Sequence, residues 1–484
     1  MSEPPTRALG TGDLDEFRRA GHALVDAIAD HLAGLPQRPV WQPLPDDLRA
    51  KLLSLPLPDG PAGLDPLAGT MARDVLPFAM GNGHPAYFGW VNSPPSLAGV
   101  LASLIAAAMN PSVVSGDHAD VHLERTVVGW LAELVGYPHE PGAGLLTSGA
   151  SAATIVCLAG ARGRAAATAG CDVRRDGLGG GPRLISYVPS EAHSCVPRAI
   201  ELLGLGSESI RPVPLPGGRL DADALRASIA ADRAAGGTPA LLVGSAGTVN
   251  TGALDPLEDL ADVAAAEELW FHVDGAYGAF GVLDPAIEAR YRGMERADSL
   301  TLDPHKWLGV PVDAGCALVR RGDDLRQAFS VVPPYLRQDT GHEVGTFAEY
   351  GMEQTRPFRA LKTWATIASR GRDGIVDQVV RANALARELA ALVEREPSLE
   401  LAAVPETSIV AFRARPPGCP PDLLESVNRA VPEAVQARGR AFVTGTVYEE
   451  RETVRACILH PGTTEADLAT LVAETVAAAS ELAA

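Results

Sequence analysis

From Leu97 onward, short apolar runs alternate with Ala- and Leu-rich stretches of helical length. This alternation limits the fold more than any other feature of the 484-residue chain. The runs at Leu184–Val188, 241–244, 270–273 and Ser299–Leu302 carry almost no charge, and helical stretches fall at Leu97–Met109, 121–135, 152–164 and 221–235. Strands that alternate with helices and lack a polar face belong to a largely parallel sheet covered on both sides. Gly and Pro cluster at 177–182 and 212–218, which read as loops. After Gly371 the texture changes. A long helix over 375–394 precedes strands near 408–413 and 453–459, and a last helix starts at Thr464 with Glu465 and Asp467 in its first turn. The expected organisation is therefore a large α/β domain over residues 91–370 and a smaller α/β domain over 371–484. Residues 1–90 form an N-terminal helical arm: an acidic helix start at Asp13 to Glu16, apolar residues Phe17, Leu24, Ile28 and Leu32 at helical spacing, and a proline-rich stretch over 36–66. Such an arm packs either on a second subunit or on its own chain.

Charge narrows the partners. Lys plus Arg is 41 and Asp plus Glu is 60, a formal net charge of −19, which argues against nucleic acid and anionic membrane. A local positive pocket for a phosphate remains allowed. No apolar run reaches the ~18 residues that cross a bilayer, and the polar segment 1–15 lacks a signal-like apolar core. Cys157, Cys171, Cys195, Cys316, Cys419 and Cys457 show no paired spacing, as expected of reduced thiols in a cytoplasmic setting. Lysine is rare, with Lys51, Lys306 and Lys362 against many arginines. Arg replaces Lys on most surfaces but cannot form a Schiff base. Lys306, in Asp303-Pro-His-Lys-Trp-Leu308, therefore stands out.

Three segments fall at expected strand ends, where α/β sheets place their ligands. Leu146-Thr-Ser-Gly-Ala-Ser-Ala152 precedes a helix, and its small residues let backbone N–H groups approach an anion. Trp270-Phe-His-Val-Asp-Gly-Ala-Tyr277 delivers Asp274, a helix cap or the partner of a cationic ring nitrogen. The third segment carries Lys306 beside His305. Asp274 and Lys306 are 32 residues apart, about one strand-helix-strand unit, so both reach one pocket. Other motifs are incomplete. Gly149-Ala-Ser-Ala-Ala153 approaches a nucleophile elbow, with Ser151 as the serine of a hydrolase, but Ala153 replaces the last Gly. His118 and His122 are spaced as zinc ligands on a helix, but Ala119 stands where a zinc protease has Glu. No metal is expected.

Together these segments resemble the aromatic-L-amino-acid decarboxylase family, the group II pyridoxal-phosphate decarboxylases. The resemblance runs from Phe17-Arg-Arg-Ala-Gly-His-Ala-Leu-Val-Asp26 and His84-Pro-Ala-Tyr-Phe88 through Ser148-Gly-Ala-Ser151, Ala192-His-Ser194, Gly247-Thr-Val-Asn-Thr-Gly252 and His272-Val-Asp274. It continues over Pro304-His-Lys-Trp-Leu308, Pro334-Tyr-Leu336, Phe358-Arg-Ala-Leu-Lys362 and Arg455-Ala-Cys-Ile-Leu-His-Pro461. It implies the aspartate-aminotransferase-like fold type I of pyridoxal-phosphate transferases, and a homodimer with shared active sites. It implies pyridoxal 5'-phosphate as cofactor, Lys306 as its Schiff-base lysine and Asp274 as partner of the pyridine nitrogen. His193 would stack on the ring and Ala276 pack on the other face. Ala150 and Ser151 would hold the phosphate with Asp303 and His305, and Thr248 would contact the cofactor. Tyr335 would protonate the product carbon from a mobile loop. Tyr87, Phe88, Asn110 and Ser112 would meet the substrate.

Three positions depart from the family pattern. Asp303 stands where Asn is frequent, Val249 where a second Thr is, and Asn110-Pro-Ser112 replaces an apolar wall. The expected function is decarboxylation of an L-amino acid with an aromatic or bulky polar side chain, giving an amine. The alternatives are an aldehyde-forming oxidative deaminase, a C–S β-lyase on a bulky S-substituted cysteine and, from another class, a serine hydrolase.

Overall fold

The computed structural model describes residues 14–331 and 346–484. Its centre is a seven-stranded sheet. The strands are β1 (Gly144–Thr147), β2 (Leu184–Val188), β3 (Ile210–Pro212), β4 (Thr238–Ser245), β5 (Trp270–Asp274), β6 (Ser299–Leu302) and β7 (Gly315–Val319), in the spatial order β1-β7-β6-β5-β4-β2-β3. Parallel pairing runs from β6 to β3, whereas β7 is antiparallel to both of its neighbours. β1 and β6 therefore point the same way, and six strands end at one edge. Every residue of β1, β2, β5, β6 and β7 is buried, because helices cover both faces. This is the environment that an unbroken apolar run anticipates. Leu146, Ile185, Leu242, Val273, Leu300 and Leu318 belong to one continuous core.

A second sheet is antiparallel, in the order β10-β11-β9-β8, built from β8 (Leu399–Leu401), β9 (Ile409–Ala414), β10 (Thr444–Tyr448) and β11 (Arg451–Cys457). The helices Leu424–Arg438 and Glu465–Ala483 pack beside it over a separate core that includes Val410, Phe412, Val431 and Leu471. Thr464 and Asp467 close a capping box at the last helix. The long helix expected over 375–394 is longer, Arg359–Arg395, with a kink at Gly371 (φ 65°, ψ 174°). The expected boundary at 370/371 thus falls at a bend within one helix. At the N-terminus, the helix Leu14–Gly34 and the short helices Asp46–Leu53 and Leu64–Thr70 form an arm with Leu53, Leu55 and Leu57 exposed. No helix among the described residues is long and apolar enough to cross a membrane.

Candidate active site

The carboxyl ends of the parallel strands enclose a cavity of about 540 Å³, closed on its far side by β10 and β11. Several different strand ends deliver its chemical groups. After β1, Ser148 and Gly149 lead into the helix Ala150–Thr168. Gly149 is its N-cap and offers no side chain to the first N–H groups. A free N-terminus on a 19-residue helix is a ready cradle for an anion. The cradle requires two glycines in contact. A Cβ on Gly315 of β7 would stand 2.4 Å from the Cα of Gly149, and Gly149 itself has φ +155°.

After β6, the turn at Asp303 brings Lys306 into the cavity, its Nζ 3.0 Å from Asp303 Oδ2. Ser93 donates to the Lys306 carbonyl at 2.6 Å. Behind the lysine, Arg370 donates to the carbonyl of Leu308 at 2.6 Å and Gln378 to that of Trp307 at 2.7 Å, one from each side of the Gly371 kink. Trp307 stacks on Tyr277 with ring centroids 5.2 Å apart, which locks the lysine turn to the segment after β5. Asp303 is almost wholly buried, and its Oδ1 has no partner among the described residues. His305 is held at Nδ1 by the Ala314 backbone, and its Nε2 is 3.7 Å from Asp303 Oδ2. Burial keeps the His305 ring below its ordinary pKa.

At the end of β5, Asp274 Oδ1 accepts hydrogen bonds from Ala276 N at 3.1 Å and Thr301 Oγ1 at 3.3 Å, which fixes the carboxylate plane. Beyond β2, His193 lines the cavity. Its Nδ1 accepts from Cys195 N at 3.2 Å, which leaves the ring proton on Nε2. Desolvation lowers the pKa of His193 against the pull of Asp274, so the ring is held neutral. Ala150, Ser151, Thr248 and Ala276 line the same cavity. The Thr248 hydroxyl already accepts from Ala253 N at 3.1 Å within its own turn. The fold therefore brings Lys306, Asp274, His193, Ala150, Ser151, Thr248, Ala276, Asp303 and His305 together.

Four expected substrate residues lie elsewhere in the chain. Tyr87 and Phe88 are buried in the core of the small lobe, not in the cavity: Tyr87 stacks on Phe442 at 4.8 Å, and Phe88 N donates to the Phe442 carbonyl. The reason is local. Gly89 lies flat against the Phe442 ring, and Trp90, at φ 42°, lines the cavity in their place. Asn110 caps the helix Leu97–Met109 in a left-handed conformation, and Asn110 and Ser112 are exposed outside the cavity. Tyr335 lies outside the described residues. His122 Nε2 sits 2.7 Å from Asp117 Oδ1, and no group of three metal-ligating side chains occurs among the described residues.

Reading the sequence overlooked Arg455 and Trp90. Arg455 is buried and lines the cavity. Its Nε and Nη1 donate to the carbonyls of Val249 and Trp90, while Nη2 has no partner among the described residues. Its signal was a cation between the buried Val454 and Ala456 on β11.

An anion cradle of small residues, a lysine, and a fixed carboxylate on the neighbouring strand end fit the phosphate, aldehyde and ring nitrogen of pyridoxal phosphate. The comparisons with known proteins agree. Residues 45–415 match the family model described as "Pyridoxal-dependent decarboxylase conserved domain". The chain is 30% identical to an aromatic-L-amino-acid decarboxylase of Bacillus atrophaeus over 97% of its own length and 96% of that protein's. It is 27% identical to a phenylacetaldehyde synthase of Arabidopsis thaliana over 96% of each chain. The crystal structure of Oryza sativa TDC with PLP and tryptamine superposes with a TM-score of 0.87 at 27% identity, covering both chains completely. The chain belongs to the pyridoxal-dependent decarboxylase family, with the fold-type-I architecture, and is a pyridoxal-phosphate-dependent carboxy-lyase acting on amino acids.

Proposed function

We propose that the enzyme decarboxylates an L-amino acid with an aromatic or bulky polar side chain and releases the amine. The observation that carries this reading is the unpartnered Nη2 of Arg455 in the wall of the cavity that holds Lys306. A buried guanidinium with a free donor suits a carboxylate, and the substrate's α-carboxylate supplies one. Bound pyridoxal phosphate would provide the sink for the electron pair left when carbon dioxide departs. Lys306 would hold the cofactor through its amine, at the place the substrate's amine must also reach. Asp274 keeps a proton on the ring nitrogen, and the neutral His193 presents Nε2–H to the cavity. Ala150 and Ser151, at the helix N-terminus, hold the phosphate. Ala276 packs against the ring. Trp90, Val91, Asn92, Asn250 and Thr446 all line the cavity and give it a mixed apolar and polar wall. Such a wall supports a side chain that is large and carries a hydrogen-bonding group. Ser151 makes no hydrogen bond to a histidine among the described residues, so a serine-hydrolase reading has no support.

The enzyme acts as a homodimer on this reading. Leu97, Leu101, Leu104, Ile105 and Met109 stand exposed on one helix that ends at Asn110. A partner docked there would carry its Asn110 and Ser112 toward the neighbouring cavity. All six cysteines are free, in keeping with a reducing, cytoplasmic setting.

One relative favours a second outcome. The Arabidopsis protein is named for an aldehyde product, so the fate of the carbon after decarboxylation is the point to test. We assign its protonation to Tyr335, a neutral phenol at working pH. A panel of amino acids should be assayed for amine, aldehyde, ammonia, hydrogen peroxide and thiol. Wild type is expected to give amine. Tyr335→Phe is expected to release carbon dioxide still, with less amine and more aldehyde and peroxide. Aldehyde from the wild type would establish the oxidative reading instead, thiol the β-lyase. An unchanged amine yield in Tyr335→Phe would move the proton donor elsewhere, His193 being next in line.

A further inference from the structure

Cys195 touches both His193 and Asp274, two of the groups assigned to the cofactor ring. It opens the helix Cys195–Leu202 and is buried, and its backbone N–H fixes His193 through Nδ1. Its Sγ lies 3.7 Å from Thr154 Oγ1 and 3.9 Å from Asp274 Oδ2. Asp274 Oδ1 is occupied by Ala276 and Thr301. Oδ2 is therefore the oxygen left for a cationic ring nitrogen, and the thiol is its one hydrogen-bond partner among the described residues. Burial pushes the thiol up to about 12, so it stays protonated and acts as a donor.

We propose that Cys195 is a positioning residue that sets how much negative charge Asp274 Oδ2 presents to the ring nitrogen of pyridoxal phosphate. A thiol is a weak donor. It orients Oδ2 while drawing little charge from it, so the carboxylate keeps its strength as the partner of the ring N–H. A hydroxyl in the same place draws more charge and loosens the ring proton. A methyl group draws none and tightens it. The other titratable groups facing this pair are His272 on β5, Cys157 on the helix Ala150–Thr168, His193, and Asp303 and Lys306 after β6. They are the same in every variant, so they cannot give the two substitutions opposite signs.

The test uses holoenzyme reconstituted with pyridoxal phosphate isotopically labelled at the ring nitrogen, read by nitrogen NMR. In Cys195→Ala the resonance is expected to move toward the protonated limit and kcat to rise or hold. In Cys195→Ser it is expected to move toward the neutral limit, with kcat down several-fold and KM unchanged. A purely structural role would disturb both variants in one direction. Displacements of the same sign, or none in either variant, would overturn the proposal.

Discussion

Lys306 is asked both to react and to neutralise. Its Nζ is the cation nearest to Asp303, a buried carboxylate that already leaves one oxygen without a partner. Removing the lysine strands that charge, and an uncompensated buried ion costs about 3 kcal/mol or more. Lys306→Ala should therefore lose turnover, the borohydride-reducible cofactor adduct and thermal stability together. Adding Asp303→Asn should restore the stability and none of the activity. A stable but inactive single variant would show that Asp303 needs no cation. His272, fully buried behind Asp274, makes a second prediction. Burial holds its pKa down to about 4 against the opposing pull of Asp274, from an ordinary value of 6.5. Between those values the unfolded chain binds a proton that the folded chain refuses, so His272 contributes stability above pH 6.5 that is lost as pH falls toward 4. The slope amounts to a few kcal/mol. Asp255, raised to about 7 by burial, contributes a slope of opposite sign, since it holds a proton when folded that the unfolded chain has released. Comparing His272→Gln with wild type by urea unfolding at several pH values isolates the histidine; parallel curves would refute its burial as the neutral form. Among single residues, those placed by strand ends were legible, because an apolar run announces where it stops. Tyr87 and Phe88 were not, because what decides their place is Gly89 against Phe442, a contact 353 residues distant in sequence.

Elements were legible in proportion to their isolation. β2 and β6, and the helix Leu97–Met109, match their sequence limits, since each is a clean apolar block between breakers. β1 was expected only through its end at Leu146, and β7 passed unnoticed because it follows the lysine turn closely. Yet these two strands place the cradle: the antiparallel β7 lies between β1 and β6 and sets Gly315 against Gly149. β10 was hidden for another reason. Its Thr444, Gly445 and Thr446 face the cavity, so the strand has no apolar signature. The helix Arg359–Arg395 was read as starting at 375, because the glycine at 371 looks like a stop and is in fact a bend at positive φ.

At the scale of the molecule, an apolar helix face stands open in addition to Leu53, Leu55 and Leu57 of the arm. The stripe of Leu97, Leu101, Leu104 and Ile105 is exposed on a helix whose C-cap, Asn110, lies outside the cavity, as does Ser112. Burying such a stripe contributes roughly 25 cal/mol per Å² of apolar surface, which favours a permanent pair of subunits. Leu101→Asp combined with Ile105→Asp should give a folded monomer by light scattering and circular dichroism, with activity reduced at least tenfold. A fully active monomer would separate catalysis from assembly. The two lobes of each chain are also joined in a way that bears on motion. Arg370 and Gln378 sit on opposite arms of the bend at Gly371 and grip consecutive carbonyls just past Lys306. A tilt of one arm against the other at that glycine would pull one carbonyl against its neighbour and twist the turn that carries the amine.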